Sequence, residues 1–227
     1  MDNNQESEKL ATPQFEIVNY NPEIDKLSEI EKIAKLAYQT NVDFFGQNIT
    51  GIKINFVYSD EELAAAEEKN GMPFQSWHKN YAHHDTVWMF SPHLPKGEDC
   101  QQHMVHEFAH IFTDKLFCEG NPAWLREGIA QVVADKNKDG VFKSNIKFKE
   151  AHYGLGFQKH PIYNKSTVFT RYLIDQFGKS KLFALLSETK EKIGTNNNYN
   201  DFCQLFNDVY GENFETVESI FMDCVTH

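Results

Sequence analysis

Apolar residues recur along this chain with two different periods, and the periods divide it into elements. From Glu23 to Phe45, Ile24, Leu27, Ile30, Ile33, Ala34 and Ala37 return at three- and four-residue steps, the pattern of an amphipathic helix. IKINFVY at 52–58 alternates instead, with Ile52, Ile54, Phe56 and Tyr58 on one side, so it reads as a half-buried strand. FEIVNY (15–20) and DTVWMFS (85–91) read as two more strands, the second closed by Pro92 and Pro95. Ser59-Asp60-Glu61-Glu62 marks a helix start, and the short helix after it ends at Gly71 and Pro73. Residues 72–85 read as irregular and aromatic. A helix over 99–118 has Met104, Val105, Phe108, Ile111, Phe112 and Leu116 as its apolar side. Gly120-Asn121-Pro122 breaks the chain, and a second helix runs from Ala123 to about Asp135. After a polar loop and an irregular stretch (151–163), helical patterns cover 164–189 with a break at Gly178, then 199–210 and 213–225, these last two separated by Gly211.

These elements predict an α+β fold, with a small mixed sheet first and a mainly helical C-terminal half. Residues 1–13 are polar, end in Pro13 and read as a flexible N-terminal arm. No strong linker follows, so 14–227 reads as one unit. Within it, 14–120 carries the sheet and the long helix, and 121–227 the helical half.

Composition narrows the partners. The net charge is −11, from 22 basic and 33 acidic residues, and that average field repels a phosphate backbone. No apolar run approaches the roughly 20 residues that span a bilayer, and no polybasic stretch suits an anionic membrane. Nucleic acid and membrane are therefore not expected as partners. The first twenty residues lack a basic segment and an apolar core, so no signal peptide is visible. Cys100, Cys118, Cys203 and Cys224 form no CxxC pair and read as buried thiols, which fits a reducing, cytoplasmic setting. A Cys100–Cys118 bridge is the alternative for an exported chain. The ten histidines direct attention to metal sites.

The informative motif is His106-Glu107-Phe108-Ala109-His110, an HExxH on a predicted helix. Residues four apart on a helix differ by only about 40° in direction, so both imidazoles can reach one ion. Two neutral imidazole nitrogens suit zinc. Glu107 is angled away from the ion, where it addresses a water and not the metal. A catalytic zinc needs a third protein ligand and one open position. Glu127, in Trp124-Leu125-Arg126-Glu127-Gly128-Ile129-Ala130, stands seventeen residues after His110. The break at Gly120–Pro122 lets its helix fold back antiparallel, so that Glu127 faces the histidine pair, while Gly128 and Ala130 allow close helix approach. His106, His110 and Glu127 are thus the expected Zn2+ ligands, and Glu107 the general base. Gln131 and Asp114, each one turn from a ligand, are candidates to orient the site.

With these motifs the chain resembles the gluzincin metallopeptidases, and within them the peptidase MA-like group. The match rests on the strand leading into Tyr58-Ser59-Asp60-Glu61-Glu62-Leu63, the HEFAH helix, the WLREGIA helix, and Tyr163-Asn164-Lys165-Ser166 running into FTRYLIDQFGKSKLFALL. The closing VYGENFETVESIF is similar as well, and the resemblance covers roughly 50–225. It implies a zincin-like fold, with a small sheet beside the HExxH helix and an edge strand that pairs with an extended peptide. By that analogy DTVWMFS is the substrate-binding edge strand. It also implies an oxyanion-stabilising donor after the third ligand. Tyr163 is preferred on that basis, with Tyr153, His152 and His160 as alternatives.

The expected function is zinc-dependent hydrolysis of peptide or protein substrates. No GxMEN-type segment precedes HExxH to hold a substrate amino terminus, which favours an endopeptidase. The competing reading is a zinc-bearing binding module that no longer cleaves; an intact Glu107 speaks against it. Other features carry less. His83, His84 and His93 read as loop histidines, and His103 is not needed as a ligand beside Glu127. Asp135-Lys136-Asn137-Lys138-Asp139-Gly140 matches half of an EF-hand loop, but Ile146 stands at the twelfth position where the bidentate Glu belongs, so it reads as a polar turn and not a calcium site.

Overall fold

The computed structural model of the chain describes residues 8–20, 27–69, 80–90, 98–117, 121–135, 147–152, 161–192 and 198–225. The fold is α+β, with a small mixed five-stranded sheet and a mostly helical remainder. The chain forms two compact units, Met1–Phe112 and Thr113–His227. The boundary between them falls within the helix that carries HExxH, Glu98–Leu116.

In the first unit the strands are β1 (Glu8–Ala11), β2 (Phe15–Asn19), β3 (Ile52–Val57), β4 (Asn80–His83) and β5 (Thr86–Phe90), in the order β1-β2-β3-β5-β4. β3 runs parallel to both β2 and β5, with Ile54 opposite Ile17 on one side and Val87 on the other. β1 and β4 pair antiparallel with β2 and β5. Helices α1 (Leu27–Phe45) and α2 (Asp60–Lys69) are the crossovers that parallel pairing requires. β3 is not the half-buried strand its alternation suggested. Of its six residues only Lys53 is exposed, as a central parallel strand demands.

Three further expectations need correction here. Part of the predicted arm is β1; a three-residue connection carries it into β2's register, with Thr12 N–H donating to the Phe15 carbonyl at 2.8 Å. Part of the stretch read as irregular is β4, whose Tyr81 ring stacks on Trp88 with centroids 6.1 Å apart. β5, which contains most of DTVWMFS, is therefore an interior strand, and β4 covers the side where a peptide was expected to pair. The start of α2 follows the sequence. Ser59 Oγ accepts the Glu62 N–H at 3.1 Å, and Glu62 Oε2 accepts the Tyr58 N–H at 2.6 Å, a reciprocal cap.

The long helix α3 (Glu98–Leu116) is braced in this unit by α1. Phe112 stacks on Phe45 at 5.5 Å and meets Tyr38 edge-on at 5.6 Å. Asn41 is fully buried on α1 and donates through Nδ2 to the Val105 carbonyl at 3.1 Å, one residue before His106.

The second unit holds α4 (Ala123–Val133), α5 (Phe148–Ala151), α6 (Pro161–Phe177), α7 (Lys179–Lys192), α8 (Tyr199–Tyr210) and α9 (Phe214–Val225). Its core is aromatic. Trp124, wholly buried, sits 4.4 Å from Phe148, 5.6 Å from Phe169 and 5.7 Å from Phe214, ring centre to ring centre. Gly178 and Gly211, at φ +84° and +76°, hold the left-handed conformation that separates α6 from α7 and α8 from α9. Among the cysteines, Cys100 is buried as expected, Cys203 is half-buried and Cys224 is exposed; Cys118 lies outside the described residues.

Candidate metal centre

α3 is packed nearly all round. Phe108, Ala109, Ile111 and Phe112 are wholly buried, yet so, nearly, are three polar groups: His106 at 8%, Glu107 at 6% and His110 at 8% exposure. Buried ionisable groups of this kind need a compensating partner. One helical turn brings the two imidazoles together, with ring centroids 4.8 Å apart and planes at 89°. Their Nε2 atoms stand 3.2 Å from each other. Two nitrogens held by one tetrahedral zinc at about 2.0–2.1 Å lie about 3.3 Å apart, so the observed spacing suits a shared ion.

The third donor comes from α4. His106, His110 and Glu127 each offer one ligand atom, and these atoms all lie within 4.8 Å of one another. Two imidazole nitrogens and a carboxylate oxygen form a donor set that can hold a divalent metal ion. Glu127 is half-buried, and the residues beside it are packing residues: Leu125, Gly128, Ile129 and Ala130 are buried. Gly128 is needed where it stands. A Cβ there would lie 2.7 Å from the Ser166 carbonyl oxygen on α6.

The surroundings of the donors add contacts that the motifs do not announce. Asp114 makes a two-pronged pair with Arg126, Nε to Oδ1 at 3.1 Å and Nη2 to Oδ2 at 2.6 Å. Arg126 had no role assigned from sequence. The only signal was its place next to Glu127, with Asp114 one turn beyond His110. Asn41 was likewise missed, because nothing local to α1 announces a bond to α3. Gln131 is buried at 9% exposure.

Tyr163 lies in the first turn of α6 and not ahead of the helix; it is half-buried, and its carbonyl accepts the Thr167 hydroxyl at 2.8 Å. His152 is a core residue, 1% exposed, with its ring 5.3 Å from Tyr199 and 5.4 Å from Phe202. Tyr153, His160 and His93 lie outside the described residues. His83 and His84 stand at the β4–β5 turn with ring centroids 4.0 Å apart. Asp135, first residue of the EF-hand-like stretch, closes α4 at φ +55° and pairs with Arg171 at 3.6 Å; residues 136–146 lie outside the described residues. Among the described residues no helix is long and apolar enough to cross a membrane. No protein-family model and no curated protein matches the chain.

Proposed function

We propose that this protein is a zinc-dependent peptidase of the gluzincin type, on a zincin-like fold, acting on peptide or protein substrates. The observation that carries the reading is the convergence of His106, His110 and Glu127 donors within 4.8 Å, with Glu107 buried beside them. Zinc held by these three residues would supply Lewis acidity to the scissile carbonyl and to a water. The chain's own residues do the rest. Glu107, turned from the ligand direction by one residue of helix, takes a proton from that water and returns it to the leaving amine nitrogen. Tyr163 is the proposed hydroxyl donor to the developing oxyanion. The backbone partner of an extended substrate would be β4, the outer strand of the described sheet beyond β5.

The test compares wild type with Glu107→Gln. Metal analysis should find about one zinc per chain in both proteins, since Glu107 is not a ligand. Cleavage of a broad internally quenched peptide library should fall by about 10²–10⁴-fold in the variant. Wild type that holds zinc but cleaves nothing would favour a binding module. A variant as active as wild type would remove Glu107 from the chemistry.

A further inference from the structure

His106, His110 and Asp114 form one row along α3, each a turn apart and about 40° round from the last. Arg126 and Glu127 are adjacent on α4. The Asp114–Arg126 pair therefore joins the two helices beside the place where the metal donors meet. It is a fork-to-carboxylate contact at 3.1 and 2.6 Å, with the side chains 29% and 13% exposed. Sheltered two-pronged pairs of this kind fix geometry in a way that open surface pairs do not. At the start of α4 Pro122 stands at the cap position and no side chain caps the helix, while the Ala123 N–H donates to the His152 carbonyl at 3.3 Å.

We propose that Asp114 and Arg126 are positioning residues that hold Glu127 in range of the histidine pair before any metal binds. The inference rests on the metal-site reading of His106, His110 and Glu127. A site assembled from two helices loses affinity by whatever ordering it must do on binding. With Arg126 clamped, the backbone of its neighbour is already placed, and only the Glu127 side chain is left to settle. Neither Asp114 nor Arg126 touches the metal in this scheme.

The test uses zinc affinity measured by chelator competition on the full chain, at a temperature where each variant is folded by circular dichroism. Asp114→Asn keeps the shape and removes the charge. Arg126→Lys keeps the charge and removes the fork. Each should weaken zinc binding by about 10–100-fold, as loss of outer-shell support does elsewhere, with the stoichiometry unchanged. The double variant should be no weaker than the worse single, because the two side chains act as one unit. A pair that served folding alone would lower the melting temperature of the metal-free protein and leave zinc affinity within twofold of wild type; that result overturns the proposal. Should Asp114→Asn fail to fold, Arg126→Lys decides the matter. Wild type that binds no zinc would overturn the metal site itself, and the clamp with it.

Discussion

Gly128 has no side chain to yield, and its surroundings leave no room for one. A Cβ there would stand 2.2 Å from Thr170 Oγ1 and 2.7 Å from the Ser166 carbonyl oxygen. The hydroxyl can rotate away. The carbonyl belongs to the α6 backbone, so that helix must shift. Gly128→Ala is therefore expected to destabilise the protein by about 1–3 kcal/mol, the usual range for overpacking, read from urea unfolding. The same displacement moves the neighbouring Glu127, so zinc affinity should fall in the variant as well; unchanged affinity would mean that α6 alone absorbs the strain. At this scale the sequence is informative where spacing alone decides geometry. His106 and His110 converge because one helical turn makes them converge. Gly128 could be read as permitting close approach, but not against which helix, since Ser166 and Thr170 lie about forty residues on. His152 shows the opposite limit. A histidine near a motif looks chemical in sequence, while packing between Tyr199 and Phe202 makes it a core residue.

Between elements, a buried ion pair ties three helices of the second unit, and no spacing pattern in the sequence pairs its two members. Lys165 on α6, 2% exposed, meets Glu218 on α9 at 2.5 Å, and its ammonium lies 4.2 Å from the centre of the Phe148 ring. Glu218 also accepts the Phe148 N–H at 3.0 Å, so one carboxylate joins α5, α6 and α9. Removing one member of a buried pair strands the other. Lys165→Met is expected to destabilise by about 3–5 kcal/mol, while Lys165→Met with Glu218→Leu should recover most of the loss. Recovery should stop short by about 1 kcal/mol, because the Phe148 N–H loses its acceptor in the double variant. Equal instability of the single and double variants by urea unfolding would argue that packing, not stranded charge, sets the value. Element identity followed periodicity well for α1, α3, α4 and the helices from α6 on, because each buries one face at helical spacing. β1 and β4 escaped because short outer strands are specified by the backbone they pair with. EKLA and NYAH carry no alternation, and only β2 and β5 make them strands.

Across the whole molecule, burial acts on phenols in both units and gives stability a definite dependence on alkaline pH. Tyr20 and Tyr58 in the first unit, and Tyr172, Tyr199 and Tyr210 in the second, all have hydroxyls pushed above the ordinary value, chiefly by burial. Glu62 adds to the effect at Tyr58, which is raised to about 12. Below pH 10 these groups are neutral whether the chain is folded or not, and they contribute nothing to the slope. Above pH 10 the unfolded chain releases its phenolic protons first, so the folded state binds more protons and stability falls as pH rises. Lys165 works in the other direction. Burial lowers its pKa below the unfolded value near 10.5, and that contribution grows as pH climbs toward it. Burial also pushes the Cys203 thiol above its ordinary value near 9, so five phenols and one thiol stand against one ammonium and decide the sign. Urea midpoints should hold to about pH 9 and then decline. In the folded protein, absorbance at 295 nm should show fewer than all nine tyrosines ionised at pH 11, the remainder appearing only on unfolding. Ionisation of all nine in one step near pH 10, with the far-ultraviolet circular dichroism still native, would mean that the hydroxyls reach solvent and that burial does not control them. Tyr58→Phe should remove one late phenol and leave those of the helical unit in place, which assigns the first loss of stability to the sheet unit or excludes it.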